Sequence, residues 1–421
     1  MLVRAPAYGN WMVTLSADNR RASHRLPEVK YTYEPTGSSD GKAKLIAGKA
    51  HFAGSDSPLS ATEKSALPSA WFLPTLAGGV ALGFNVPGFG TDELNLPREA
   101  LAEVFLGRIW QWSGLAPWNP RLKNTTQNIS IIVRSDSSGT TSVFTSALSS
   151  FSTEWKASIG TSSLPNWPKA TARCEGNSGV AVSIRVTAYS IGYLGVAEAR
   201  SFGVSYAKIG NAAGQYISPT AAAVQEAMSA FGTQFEALAR DRSTNFFVDI
   251  VDPPNNPAAY PIATFTYIVF NTDLLACETL LNVVYMIYWA WTDGAVEMGS
   301  NQPLVPLTET VRSACMSALG GLKCDGKAPL ARAQIAFGLG CQPGASNAPL
   351  LHVVLASLFL RTFRATCKMR PFIVAQASSR ASEATEDCNA RLANLGSTPR
   401  TSTRSLRHRR ASRASQVQFH H

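Results

Sequence analysis

No run of about 20 uncharged apolar residues occurs in the 421-residue chain, which excludes an obvious membrane-crossing helix. Cysteine is scarce: seven residues are too few for a disulfide scaffold, and the odd number leaves at least one unpaired. Cys315 and Cys324 lie nine apart and could close a small loop, while Cys341, Cys367 and Cys388 fall in the C-terminal part. There is no Cys-x-x-Cys pair and the six histidines are scattered, so no metal site is expected. The stretch from Met1 to Trp11 lacks the apolar core of a signal peptide. Charged residues make up 16% against 45% hydrophobic, a balance that fits a packed globular body rather than a coiled coil or a disordered chain. The formal charge of +10 is uneven: residues 361–421 hold 12 basic and 3 acidic side chains, and the rest of the chain holds 26 and 25. A neutral body removes the main support for nucleic-acid binding. Arg404, Arg407, Arg409, Arg410 and Arg413 have no interleaved aromatics and read as a solvated tail.

Short apolar runs alternate with helix-like stretches over residues 1 to about 320, the pattern of sheets packed between helices. Residues 76–86, 129–134, 190–199 and 265–271 read as strands, and 142–151 and 277–299 as helices. Residues 320–350 are rich in Gly and Pro with no clear period, 350–364 form an apolar segment of helical type, and from Gln376 Ser, Thr, Ala and Arg dominate. That last composition is disordered in character.

Three segments share one chemistry: Thr36 to Lys44, Ala53 to Ser60 and Arg134 to Ser142. Each is a Gly/Ser/Thr loop, and the first and third lead into helices. Such a loop presents backbone N–H groups and hydroxyls at a helix N-terminus, where orphan donors and the helix dipole favour an anion. Arg134 adds a permanent planar cation suited to an oxyanion. Asp56 and Asp136 look misplaced beside an anion. A carboxylate only accepts hydrogen bonds, so Asp56 suits an anion that still carries a proton, such as hydrogen phosphate, and repels sulfate. Taken singly, each segment is an ordinary cap or turn, and the P-loop spacing is absent. A hydrolase using Ser138 or Thr140 would need a base or metal beside the anion, and no histidine or cysteine lies in these loops.

In this order and spacing, Gly37-Ser38-Ser39, Phe52-x-x-Ser55-Asp56-x-Pro58-Leu59-Ser60 and Arg134-x-Asp136-x-Ser138-Gly139-Thr140 resemble the periplasmic phosphate-binding protein of bacterial ABC-type phosphate uptake. The chain looks like a eukaryotic-type or N-terminally truncated relative. Weaker matches include residues 74–88, 105–112, 175–181, 191–195 and 260–270. The resemblance implies an α/β, two-lobed class II periplasmic-binding-protein fold with two crossovers between lobes and a disordered basic C-terminal tail. Carried over, residues 1–79 and 256–320 form lobe one, 80–255 form lobe two, 321–375 are a linker or amphipathic segment, and 376–421 are the tail. The hinge would lie at Leu76–Val86 and near Tyr260–Ile262.

The resemblance also implies roles. Ser38, Asp56, Arg134, Ser138, Gly139 and Thr140 would bind phosphate: Ser38 by hydroxyl and backbone, Asp56 by accepting the phosphate proton, and the Ser138–Thr140 run from its helix N-terminus. Ser39 and Asp136 would support them, Asp136 by pairing with Arg134. The expected function is binding without catalysis, without cofactor or metal, outside the cytoplasm, with inorganic phosphate as ligand and a membrane transporter or signalling module as partner. The alternative is a degenerate ectodomain serving signalling or adhesion. Three departures from the pattern stand out. Leu2 and Val3 fall where a Thr-Phe loop is usual, so the first strand and one binding loop are expected to be missing. The segment from Trp11 to Ser38 is longer than in the bacterial pattern. Asp40 replaces a usual glycine and brings a further negative charge near the site.

Overall fold

The computed structural model describes residues 2–4, 32–34, 36–292, 304–326 and 328–336. The 350–364 segment, the tail from 376, and Cys341, Cys367 and Cys388 lie outside the described residues. The elements in chain order begin with β1 (Leu2–Arg4), β2 (Thr32–Glu34), α1 (Ser38–Ile46), β3 (Ala53–Ser55), α2 (Ala61–Ala66), β4 (Ala70–Asn85), β5 (Asn95–Leu96) and α3 (Arg98–Phe105). There follow β6 (Ser130–Arg134), α4 (Gly139–Phe151), α5 (Thr153–Ser158), β7 (Ala172–Cys174), α6 (Gly176–Val186), β8 (Ser190–Gly195), α7 (Val196–Ser201), β9 (Ser205–Tyr206), β10 (Lys208–Gly210) and β11 (Tyr216–Ile217). The last are α8 (Ala221–Ser229), α9 (Gly232–Arg240), β12 (Ala263–Asn271), α10 (Cys277–Trp291), β13 (Val305–Pro306), α11 (Glu309–Gly320) and α12 (Pro329–Ala336).

β4 organises the rest. Its 16 residues, AWFLPTLAGGVALGFN, are buried except at the last position, the continuous apolar reading of a strand covered on both faces. The half from Ala70 to Gly79 pairs antiparallel with β12, and β13 also lies on this half. The half from Val80 to Asn85 pairs antiparallel with β8. The order is β3-β12-β4-β8-β6-β7, with β6 parallel to both β8 and β7. One strand therefore belongs to two half-sheets. On the first half-sheet pack α8 and α10, while α9 packs on α11; α6 and α7 pack on the second. Gly83 has a steric reason to be glycine: a Cβ there would lie 2.8 Å from both Leu194 Cδ2 and Val204 Cγ1.

Several expectations change. Leu2–Arg4 forms a strand, pairing parallel with Thr32–Glu34, where the first strand was expected to be missing. The 190–199 run is a strand only to Gly195 and then turns into α7. Cys324 bonds to Cys277, at the start of α10, and not to Cys315. Cys315 stays a free thiol because its place on α11 points it into the core, fully buried. Residues 329–336, where no period was read, form α12, which packs on α10 and α11 and buries Leu330 and Ala333.

Candidate functional site

Two helix N-termini face each other across the molecule. Helix α1 starts after Gly37, which gives no side-chain cap, so the cap residue leaves the helix's first N–H groups unanswered by a side chain of its own. Helix α4 starts after Ser138, whose Oγ accepts from Thr141 N–H at 3.3 Å. The Ser138 N–H donates to Ser163 O at 2.9 Å. Ser138 thus retains its hydroxyl proton for a ligand but not its backbone donor, while Gly139 and Thr140 keep the first-turn N–H groups that a helix cannot satisfy internally. The approach is close. A Cβ on Gly139 would lie 2.3 Å from Ser38 Oγ and 2.9 Å from Asp56 Cβ. One on Gly37 would lie 2.9 Å from Ser137 O and 3.2 Å from Asp136 Oδ2. Ser39 and Ser137 share a hydrogen bond of 2.7 Å across the same gap.

The loop carrying Asp56 is fixed from behind. Lys42, almost wholly buried on α1, donates to Pro58 O at 2.9 Å and pairs with Glu63 Oε2 at 3.0 Å. Glu63 closes a capping box on α2, accepting from Ser60 N–H at 2.7 Å. The Pro-Leu-Ser segment is therefore a mount for Asp56. The Asp56 N–H donates to Ser38 Oγ at 3.3 Å, and its Oδ1 accepts from Thr266 Oγ1 on β12 at 2.8 Å. Its Oδ2 is buried and has no partner, as is Thr140 Oγ1. Burial pushes the Asp56 carboxyl up to about 7; the Glu198 charge adds to this, while the Thr266 hydrogen bond and Arg134 oppose it.

Arg134 ends β6, buried, with three of its five side-chain N–H donors engaged within the protein. Its Nε donates to Asp136 Oδ1 at 2.7 Å and its Nη2 to Asp136 Oδ2. Its Nη1 donates to Asn177 Oδ1 at 2.7 Å, and its backbone N–H to the Tyr193 hydroxyl at 3.2 Å. Burial alone would raise the Asp136 carboxyl, but the hydrogen bond and charge of Arg134 and the Gly176 N–H hold it below its usual range. Asp136 is thus an ionised clamp, and Asp56 an acid poised to change state.

Each residue expected at the site falls in this region. Ser38, Asp56 and Gly139 touch; Ser39 bridges the gap; Arg134 and Asp136 are paired; Thr140 and Ser138 are buried at the head of α4. Asp40 is the exception. Its carboxylate is exposed and pairs with Lys44 at 2.5 Å, one turn along α1, so its charge is answered away from Asp56. Sequence reasoning missed Thr266, Asn177 and Glu198. Asn177 and Thr266 lie inside stretches already noted, and a single acid in the apolar run Val196-Ala197-Glu198-Ala199 was the available signal.

A family model described as a PBP superfamily domain matches residues 12–276. The phosphate-binding protein PstS of Pasteurella multocida is 31% identical over 284 residues, covering 67% of this chain and 79% of that protein. Among solved structures, a DING protein aligns with a TM-score of 0.60 at 20% identity, over 79% of this chain and 98% of that one. A high-affinity periplasmic phosphate-binding protein (PfluDING), solved with phosphate bound, aligns with a TM-score of 0.56 at 22% identity, over 80% and 98%. At these identities the structural likeness speaks for the fold, the mixed α/β class II arrangement.

Proposed function

The chain belongs to the PBP superfamily and, within it, with the PstS phosphate-binding proteins; from this premise we propose that it binds inorganic phosphate between the N-termini of α1 and α4 and releases it unchanged. One observation carries the reading: the buried, unpartnered Oδ2 of Asp56, set against Ser38 and Gly139 and within the field of Arg134. Donors from two helices and a guanidinium suit an oxyanion, and a lone acceptor among them suits only an oxyanion that keeps a proton. Ser38, Gly139 and Thr140 donate, with the Ser138 hydroxyl; Arg134 contacts oxygens and Asp136 holds it.

The two half-sheets serve as two lobes. Because α8 packs with β4, β12 and β13, and α9 packs on α11 and sets Phe235 against Phe265 of β12, we place the return to lobe one at about residue 220, earlier than the expected 256. Lobe two then runs from 80 to 220, and lobe one resumes from 221 to 336. The crossings meet at Gly79, where a Cβ would lie 3.1 Å from Pro219 and 3.2 Å from the Tyr260 ring. The Tyr260 hydroxyl donates to Val80 O at 2.7 Å. The Cys277–Cys324 bond favours an oxidising compartment, and we assign the protein there, handing phosphate to a membrane transporter or signalling module. Among the described residues no helix is long and apolar enough to cross a membrane.

Titration calorimetry at pH 7 with phosphate and with sulfate tests the proposal. Phosphate heat without sulfate heat is expected; equal or stronger sulfate binding would overturn it.

A further inference from the structure

Glu198 is a half-buried acid with no part in the scheme so far. It sits in the first turn of α7 with Val196, Ala197 and Ala199 buried around it. Its Oε2 is sealed from solvent and has no partner. Asn177 connects it to the site. Arg134 offers only donors, so the Asn177 oxygen that accepts from Nη1 is fixed as the acceptor. The Asn177 amide then turns its N–H toward the Glu198 carboxylate, with which it hydrogen-bonds. Hydrogen bonds thus link Glu198 through Asn177 to Arg134, the residue assigned to the anion.

Charge along that line cannot balance if every group is ionised. Arg134 is one cation, and Asp136 already answers it. Asp56 and Glu198 remain, each raising the cost of ionising the site, and phosphate adds further negative charge. Among the described residues of the elements packed against α7, no buried cation offsets it. Of the elements against α7, β4 carries no ionisable side chain. On β8, Tyr193 is pushed up to about 12 by burial and stays neutral. On α6, Arg185 is exposed; on β9, Tyr206 accepts from Arg200. Burial pushes both Asp56 and Glu198 up to about 7, so either could take a proton. Asp56 must stay a carboxylate to accept the phosphate proton.

We propose that Glu198 takes up a proton from solvent when phosphate enters the site, making it a positioning residue that couples binding to proton uptake through Asn177 and Arg134. This rests on the phosphate reading above. Calorimetry at pH 8 with inorganic phosphate, repeated in two buffers of different ionisation heat, counts the protons absorbed per phosphate. Wild type should absorb about one-half to one proton more than Glu198→Gln, since a proton shift is the linkage signature of a group whose pKa changes on binding. The variant, keeping an acceptor for Asn177 but no charge, should bind severalfold tighter at this pH. Infrared difference spectra of wild type on adding phosphate should show a newly protonated carboxyl band that moves when glutamate is carbon-13 labelled, a readout independent of any variant's folding. Equal proton counts, or a band that labelling does not move, would overturn Glu198's role while leaving phosphate binding intact. Absence of phosphate heat from wild type would overturn the phosphate reading, and this inference with it.

Discussion

At Asp56, recognition and stability pull in opposite directions. Its carboxyl goes from an ordinary value near 3.8 to about 7 in the fold, so the folded protein holds this proton more tightly than the unfolded chain does. A raised acid contributes stability that is present at low pH and fades as pH climbs from about 4 to 7. Without phosphate, Asp56→Asn should therefore raise the melting temperature at pH 8 and change it little at pH 4, read by scanning calorimetry at both. The same variant can donate a hydrogen bond, so its preference for phosphate over sulfate should narrow or vanish in titrations. Arg134→Ala should weaken phosphate binding ten- to a hundredfold, since a lost charge-assisted bond in a dry site is worth about 1.5–3 kcal/mol. Arg108→Ala, which breaks exposed pairs with Glu103 and Glu154, should leave affinity unchanged. Comparable losses from the two variants would move the site elsewhere.

Among the elements, the heads of α1 and α4 were legible because their chemistry is local: glycine, hydroxyls and a following helix lie within a few residues of one another. The Ser60–Glu63 capping box is equally local. Thr266 reaches Asp56 across 210 positions, and Asn177 reaches Arg134 across 43. Those meetings are set by strand order and helix placement, which no short window encodes. The cysteine pairing failed for a related reason. Proximity in sequence favoured Cys315 with Cys324, whereas helix phase buries Cys315 and leaves Cys324 beside Cys277. Close approach at α4 gives an element-scale test. Gly139→Ala puts a methyl where Ser38 Oγ and Asp56 Cβ already crowd, yet alanine suits a helix start no worse than glycine. Phosphate affinity should fall at least tenfold while melting without phosphate shifts by only a few degrees. A preserved affinity would mean that the two helix heads do not hold the anion together.

For the whole molecule, the body extends past residue 320. Helix α12 packs on α10 and α11, and Cys324 is tied to Cys277. A chain ending at Gly320 loses both the helix and a crosslink spanning 47 positions, the latter typically worth about 2–4 kcal/mol. It should melt well below a chain ending at Phe337, measured side by side under non-reducing conditions; equal melting would put residues 321–336 outside the cooperative body. The shared strand has a consequence for how the protein is made. The second half of β4 meets β8 after roughly a hundred further residues, but the first half must wait for β12, whose bond to Thr75 spans 191 positions. Because long-range pairing carries the loop-closure cost before its reward, a chain leaving the ribosome can close the half-sheet around β8 while Ala70–Gly79 stays without its β12 partner. For that interval the most apolar stretch of backbone in the first half is an open edge, and the speed of synthesis from Asn85 to Asn271 sets how long it stays exposed to other chains.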